Sequence, residues 1–111
     1  MEIQSQKNGA VTIVRPDGAL VGPDADALKA ALVDQVAASL GRVVLNLEAV
    51  PFIDSRGLEI LVEITEELSA SGQVLKLCAA NKTLREVLEL TELAPLFEHY
   101  EDANGATRSF L

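Results

Sequence analysis

The residues best placed to do chemistry in this chain lie in one run, Val50-Pro51-Phe52-Ile53-Asp54-Ser55-Arg56-Gly57-Leu58. It reads as an extended segment that delivers small polar side chains to a helix start, where unpaired amides and the positive end of the helix dipole favour negative charge. Such a place can hold an anion or a phosphorylated hydroxyl, and Ser55 supplies a hydroxyl there. The same residues also read as plain architecture, with Asp54 or Ser55 capping the helix and Gly57 letting it pack close to a sheet. Local physics does not separate the two readings. Reactive side chains elsewhere are few. His99 and Cys78 are the only histidine and the only cysteine, and neither belongs to a spacing that suits a nucleophile with its base or a metal set. The expectation is a non-enzyme with no metal and no cofactor. Asp24 and Asp26 are paired acids at another helix start, where capping and the dipole account for them.

The helix after Asp54 must present this turn. On a wheel of about 100° per residue, Leu58, Leu61, Val62, Ile64, Thr65 and Leu68 share a broad arc, with Ile60 at its margin. Glu59, Glu63, Glu66 and Glu67 fall together on the other side. The arc is wider than one packing contact needs, so the Ile60 margin is expected to stay partly exposed, and an apolar edge beside an acidic face suits protein binding. From Glu48 to Glu67 there are six acids and one base, a balance of −5 within a chain of −8. The charge is concentrated there, although a solvated helix face remains the plainer explanation of four glutamates.

The remaining elements follow from periodicity and punctuation. Ile3–Gln6 and Val11–Val14 read as a hairpin turned at Asn8-Gly9, and Pro16-Asp17-Gly18 and Gly22-Pro23-Asp24 break the chain on either side of Ala19-Leu20-Val21. A helix capped by Asp24 is expected from Ala25 to Leu40, with Leu28, Leu32 and Val36 at i+4 spacing and Gly41 ending it. The apolar run 42–47 reads as the central strand, residues 73–78 as a parallel neighbour, and the helix between them as a right-handed crossover running to about Ala70. Asn81 caps a further helix containing Leu84, Val87 and Leu88, Phe97–Glu101 reads as an edge strand, and the tail is expected to form a short helix anchored by Phe110 and Leu111.

At 111 residues the chain should be one domain, and 49 % hydrophobic with 4 % aromatic residues calls for an aliphatic core. The net charge of −8 disfavours nucleic acid and anionic membranes. One cysteine in an apolar run permits no internal disulfide, so a reducing cytoplasm is the simplest setting. Met1–Lys7 lacks the basic and apolar segments of a signal peptide, and no run approaches the length of a membrane span, so no direct membrane insertion is expected.

The stretch from Val44 to Leu58 resembles the signature of the STAS family, named for sulfate transporters and anti-sigma factor antagonists. Gly18-Ala19-Leu20, Leu75-Lys76-Leu77-Cys78, Val87-Leu88, Thr91-Glu92-Leu93 and Phe97 extend the likeness over nearly the whole chain. The resemblance implies an α/β fold, a mixed β-sheet of about four to five strands with packed α-helices, and a job done by binding. It implies as partners an anti-sigma factor that is also a serine kinase, and a phosphatase that reverses the kinase, within a partner-switching pathway. It also implies weak nucleotide binding near the turn, for which no Gly-rich phosphate loop is present. The partner-binding residues it points to are Asp24, Phe52, Asp54, Ser55, Arg56, Gly57, Leu58, Glu59, Ile60 and Glu63.

The family turn usually reads Asp-Ser-Ser-Gly-Leu or Asp-Ser-Thr-Gly-Leu, with the phosphorylated hydroxyl directly before the glycine. Here that position is Arg56, which takes no phosphate in kinase chemistry and whose planar guanidinium pairs with carboxylate or phosphate. Val21 also stands where many relatives carry an acid. Three readings of Arg56 follow: a constitutively competent binder with a positive charge at the regulated position, a partner for phosphate on the neighbouring Ser55, or a side chain simply extended into solvent. A rival role for such a protein is a small subunit on an ABC-type lipid transporter or in a signalling scaffold.

Overall fold

Two runs of strand-forming residues open the chain and pair antiparallel as β1 (Glu2–Asn8) and β2 (Val11–Asp17) in the computed structural model, which describes residues 1–111. The turn falls on Gly9-Ala10, one residue later than Asn8-Gly9, because Asn8 is itself paired with Val11; Gly9, at φ +64, takes the conformation that needs no Cβ. Pro16 does not break β2. Pairing with the next strand stops at Val14, so Pro16 sits where β2 has become an edge on that side, which is where proline is tolerated.

Next come α1 (Gly22–Ser39), β3 (Val43–Asn46), α2 (Ser55–Ser69), β4 (Lys76–Cys78), α3 (Lys82–Leu90), a 3-10 turn (Ala94–Leu96), β5 (Glu98–Tyr100) and α4 (Ala103–Arg108). The sheet order is β1-β2-β3-β4-β5, with β2 to β5 mutually parallel and β3 at the centre as its continuous apolar run requires. Strand alternation sends Val14, Val43, Leu45, Leu75 and Leu77 to the face covered by α1, α2 and α3, where they join Leu28, Leu32, Ile60, Ile64 and Leu84 in one core. The opposite face packs Val11, Val44 and Cys78 against Ala106 of α4. There Lys76 is buried, its Nζ 2.8 Å from both Glu98 Oε1 and Ser109 Oγ and 4.4 Å from the Phe110 ring centroid. Phe110 thus anchors the tail as expected. Leu111 does not, being 97 % exposed.

Helix α1 starts earlier than Ala25, because Pro23 suits a first turn. Its N-cap is Val21, which offers no side-chain oxygen, so Asp24 lies inside the first turn and is not the cap. At the other end Leu40 (φ +56) and Gly41 (φ +84) are both left-handed, so the leucine enters that conformation a step before the glycine, and the Gly41 N–H reaches back to the Val36 carbonyl. A leucine there costs roughly 1–2 kcal/mol that glycine would not.

Asn81 caps α3 through the Leu84 N–H at 2.8 Å, and its amide donates to the carbonyls of Val50 and Pro51 at 3.3 and 3.2 Å. Asn81→Ala removes the cap and both bridges to the loop before Asp54. We expect a loss of about 2 kcal/mol, read by urea unfolding; a loss under a few tenths would show that these bonds contribute little.

Candidate functional site

The turn is built by strapping Leu20 alongside Phe52–Asp54. The Leu20 N–H donates to the Phe52 carbonyl and the Asp54 N–H to the Leu20 carbonyl, both at 3.1 Å, and Leu20 pairs with Ile53 as an isolated parallel bridge. Gly57, in the first turn of α2, rests on this strap. A Cβ on Gly57 would fall far inside contact distance of the Leu20 carbonyl oxygen and Ile53 Cγ1. The close packing expected of this glycine is therefore real.

Asp54 caps two helices at once. Its Oδ1 accepts the Gly57 N–H of α2 at 2.9 Å, and its Oδ2 accepts the Gly22 N–H of α1 at 3.0 Å. The second bond supplies the cap that Val21 cannot. The Gly57 N–H chiefly, with those of Gly22 and Arg56, holds the Asp54 carboxyl below its ordinary value against the opposing effect of desolvation. Ser55 is the first helical residue and its side chain is exposed.

Arg56 does not extend into solvent. Its Nε and Nη2 donate to Asp26 Oδ1 of α1 at 2.8 and 2.5 Å, and its Nη1 to Glu59 at 3.0 Å and Glu63 at 3.2 Å. Lys29 Nζ then lies 2.6 Å from the other oxygen of Glu63. Three carboxylates and two cations thus clamp α1 and α2 together over the turns nearest their N-termini. Asp26 belongs to this clamp, so capping does not account for it as expected, and nothing in the local pattern linked it or Lys29 to the turn. Asp24 lies outside the clamp, 3.4 Å from the Met1 amine.

The acidic face and the apolar edge meet in a groove of about 360 Å³, with Leu58, Val62 and Leu93 as its floor and Glu59, Glu63 and Glu66 on its rim beside Ser55. Ile60 takes no part, being fully buried. The expected exposed margin lies on the other flank of the arc, because α1 packs over the Ile60 side and leaves Leu58 and Val62 half-buried toward Leu93. Phe52, just before the turn, is 53 % exposed. His99 is on the surface of β5 with Nε2 2.7 Å from the Ala94 carbonyl, and burial pushes the Cys78 thiol up to about 11.

The STAS domain model matches residues 2–106. The chain belongs to the STAS domain family. A STAS relative in Bordetella bronchiseptica, named "Putative anti-sigma factor antagonist BtrV", is 27 % identical over 110 residues, spanning 99 % of this chain and 95 % of its own. A Thermotoga maritima protein described in the same words has a crystal structure that superposes with a TM-score of 0.88 at 26 % identity, covering 96 % of this chain and 92 % of that one. The crystal structure of an anti-sigma factor antagonist from Mycobacterium paratuberculosis gives 0.84 at 27 % identity, covering 97 % and 92 %. The five-stranded mixed sheet with four helices is the α/β arrangement the STAS resemblance implied. No helix is long and apolar enough to cross a membrane.

Two carboxylates, Glu63 on α2 and Glu98 on β5, set the response of this STAS domain to acid. Glu63 is held below the ordinary glutamate value of 4.5, by Lys29 first and Arg56 after it. Glu98 is lowered likewise, by Lys76 and then Tyr100. A depressed carboxyl contributes stability that is complete above its unfolded value and lost as pH falls through its folded one. Unfolding free energy should therefore be flat toward neutral pH and start to fall as pH drops through about 4.5, measured by urea titration at several pH values. Increasing stability over that interval would contradict the assignment.

Proposed function

We propose that this chain, acting as a single STAS domain in the bacterial cytoplasm, is an anti-sigma factor antagonist. It would sequester an anti-sigma factor of the serine-kinase type, and it works by binding and not by catalysis. The observation that carries this reading is the groove along α2, with its apolar floor and acidic rim beside the Asp-Ser-Arg-Gly turn. Such a groove suits a partner segment presenting apolar side chains flanked by Lys or Arg. Phe52, Asp54, Ser55, Arg56, Gly57, Leu58, Glu59 and Glu63 form or support the docking face, whereas Ile60 supports it only from the core. Asp24 stands at its border on α1.

The Arg56 clamp favours constitutive competence. The position before Gly57 carries no hydroxyl, and its guanidinium is held by Asp26, Glu59 and Glu63. Arg56 therefore organises the docking face and does not offer a free positive charge to the partner. A phosphate on Ser55 would lie beside Asp54 and one helical turn from Glu59, and would have to draw Arg56 away from Asp26 to be neutralised. The kinase partner is thus expected to bind this chain without modifying it, which leaves a phosphatase nothing to reverse.

Pull-down from the native cell with wild type, Arg56→Glu and Ser55→Asp tests the reading. Recovery of a kinase-fold anti-sigma factor by wild type, lost with Arg56→Glu, is the expected result. Recovery of transporter ATPase subunits in its place would overturn it.

A further inference from the structure

The end of the molecule away from the Asp-Ser-Arg-Gly turn carries an apolar anchor that the fold does not require. Leu40 holds the left-handed backbone at the end of α1, where glycine is free of steric cost, yet its side chain is 76 % exposed. Strain accepted for a side chain that the core does not use points to use at the surface. Lys7 and Arg42 flank Leu40 around a hollow of about 200 Å³ whose walls include no carboxylate. Neither cation takes part in an ion pair. In a chain of net charge −8 this is a local inversion of sign on one side of a protruding leucine, whose other side borders a hollow that holds Glu67.

The same chain carries the complement. The α2 groove has an apolar floor and an acidic rim, and on that rim Glu66 is exposed and in no ion pair. We infer that a second copy of this chain seats its Leu40 end in the α2 groove, with Leu40 on Leu58, Val62 and Leu93 and with Lys7 and Arg42 toward Glu59 and Glu66. The two surfaces differ, so the contact is heterologous and propagates head to tail. It is weak and salt-sensitive, because the patches are small and the rest of the chain repels. Self-association then competes with any partner for the groove, so dilution would make the groove available. The inference rests on the walls of the groove and not on which partner it serves.

Sedimentation velocity over a concentration series tests this with the chain alone. Wild type should gain weight-average mass with concentration and lose that gain in high salt. Arg42→Glu and Glu66→Lys should each lower the association constant on the order of tenfold. The decisive arm is their equimolar mixture. Arg42→Glu sets a carboxylate against Glu66 in its self-contact and Glu66→Lys sets an ammonium against Arg42, so each weakens its own association while the pair offers an opposite charge at position 66 for each charge at position 42. Leu40→Gly should weaken association equally while keeping a Tm at or above wild type, which separates an anchor from a folding residue. A wild type that stays monomeric, a mixture no better than its parts, or a Leu40→Gly variant that associates normally would each overturn the inference.

Discussion

Gly57→Ala should destabilise the protein by about 3 kcal/mol, a drop in Tm of roughly 10–15 °C, measured by urea unfolding and calorimetry. The sign is the informative part. Helix propensity alone predicts a gain of about 1 kcal/mol for replacing glycine by alanine inside a helix. Against it stands the new methyl group, which meets the Leu20 carbonyl oxygen and Ile53 Cγ1. Ile53 can rotate, but the Leu20 carbonyl already accepts the Asp54 N–H and belongs to the strap that fixes the turn. Relief requires α2 to lift from Leu20, which would also strain the bond from the Gly57 N–H to Asp54. A neutral or stabilised Gly57→Ala would mean that the strap yields easily and that the turn is less rigid than its bonds imply.

The second large effect concerns modification. Incubated with its cognate kinase and ATP, wild type should gain no phosphoryl group by intact mass, whereas Arg56→Ser should gain one. The substitution restores a hydroxyl directly before Gly57 and releases Asp26, Glu59 and Glu63 from their shared cation. Phosphate then adds roughly −1.5 to −2 charges where three carboxylates already lie. Binding of the phosphorylated variant to the anti-sigma factor should fall on the order of a hundredfold, since the phosphate repels Asp26, Glu59 and Glu63, which no longer share Arg56, and so drives apart the α1 and α2 surfaces that the clamp holds in place for docking. Isothermal titration of the modified and unmodified variant measures this. Phosphorylation of wild type at Ser55 would overturn the constitutive reading, and tight binding by the phosphorylated variant would show that the groove does not depend on charge at this position.

Much of this was legible before the structure. The βαβ unit from β3 to β4, the cap at Asn81, a cap at Asp54 or Ser55, and close packing as one reading of Gly57 are local features, carried by runs of apolar residues and by short polar side chains at helix starts. In the structure the α2 cap is Asp54. The Arg56 clamp was not legible, because Asp26 and Lys29 lie about 30 residues from their partners in sequence and only the packing of α1 on α2 brings them together. A lone base within an acidic segment had to find carboxylates, but the sequence does not say which. The misplaced apolar margin has the same origin. Periodicity identified the arc of α2 but not which flank α1 would cover, and it covers Ile60. Asp24 was the nearest conventional cap for α1, and nothing local marked a carboxylate 32 residues away as the true one.

That double cap has a bearing on how the molecule opens. One carboxylate terminates both α1 and α2, so the first turn of neither helix can fray without disturbing the other. The Gly22 and Gly57 amides should then exchange their hydrogens with solvent at a common opening free energy. The rim of the docking face and the start of α1 form one cooperative unit, and a ligand that rigidifies either would slow exchange in both.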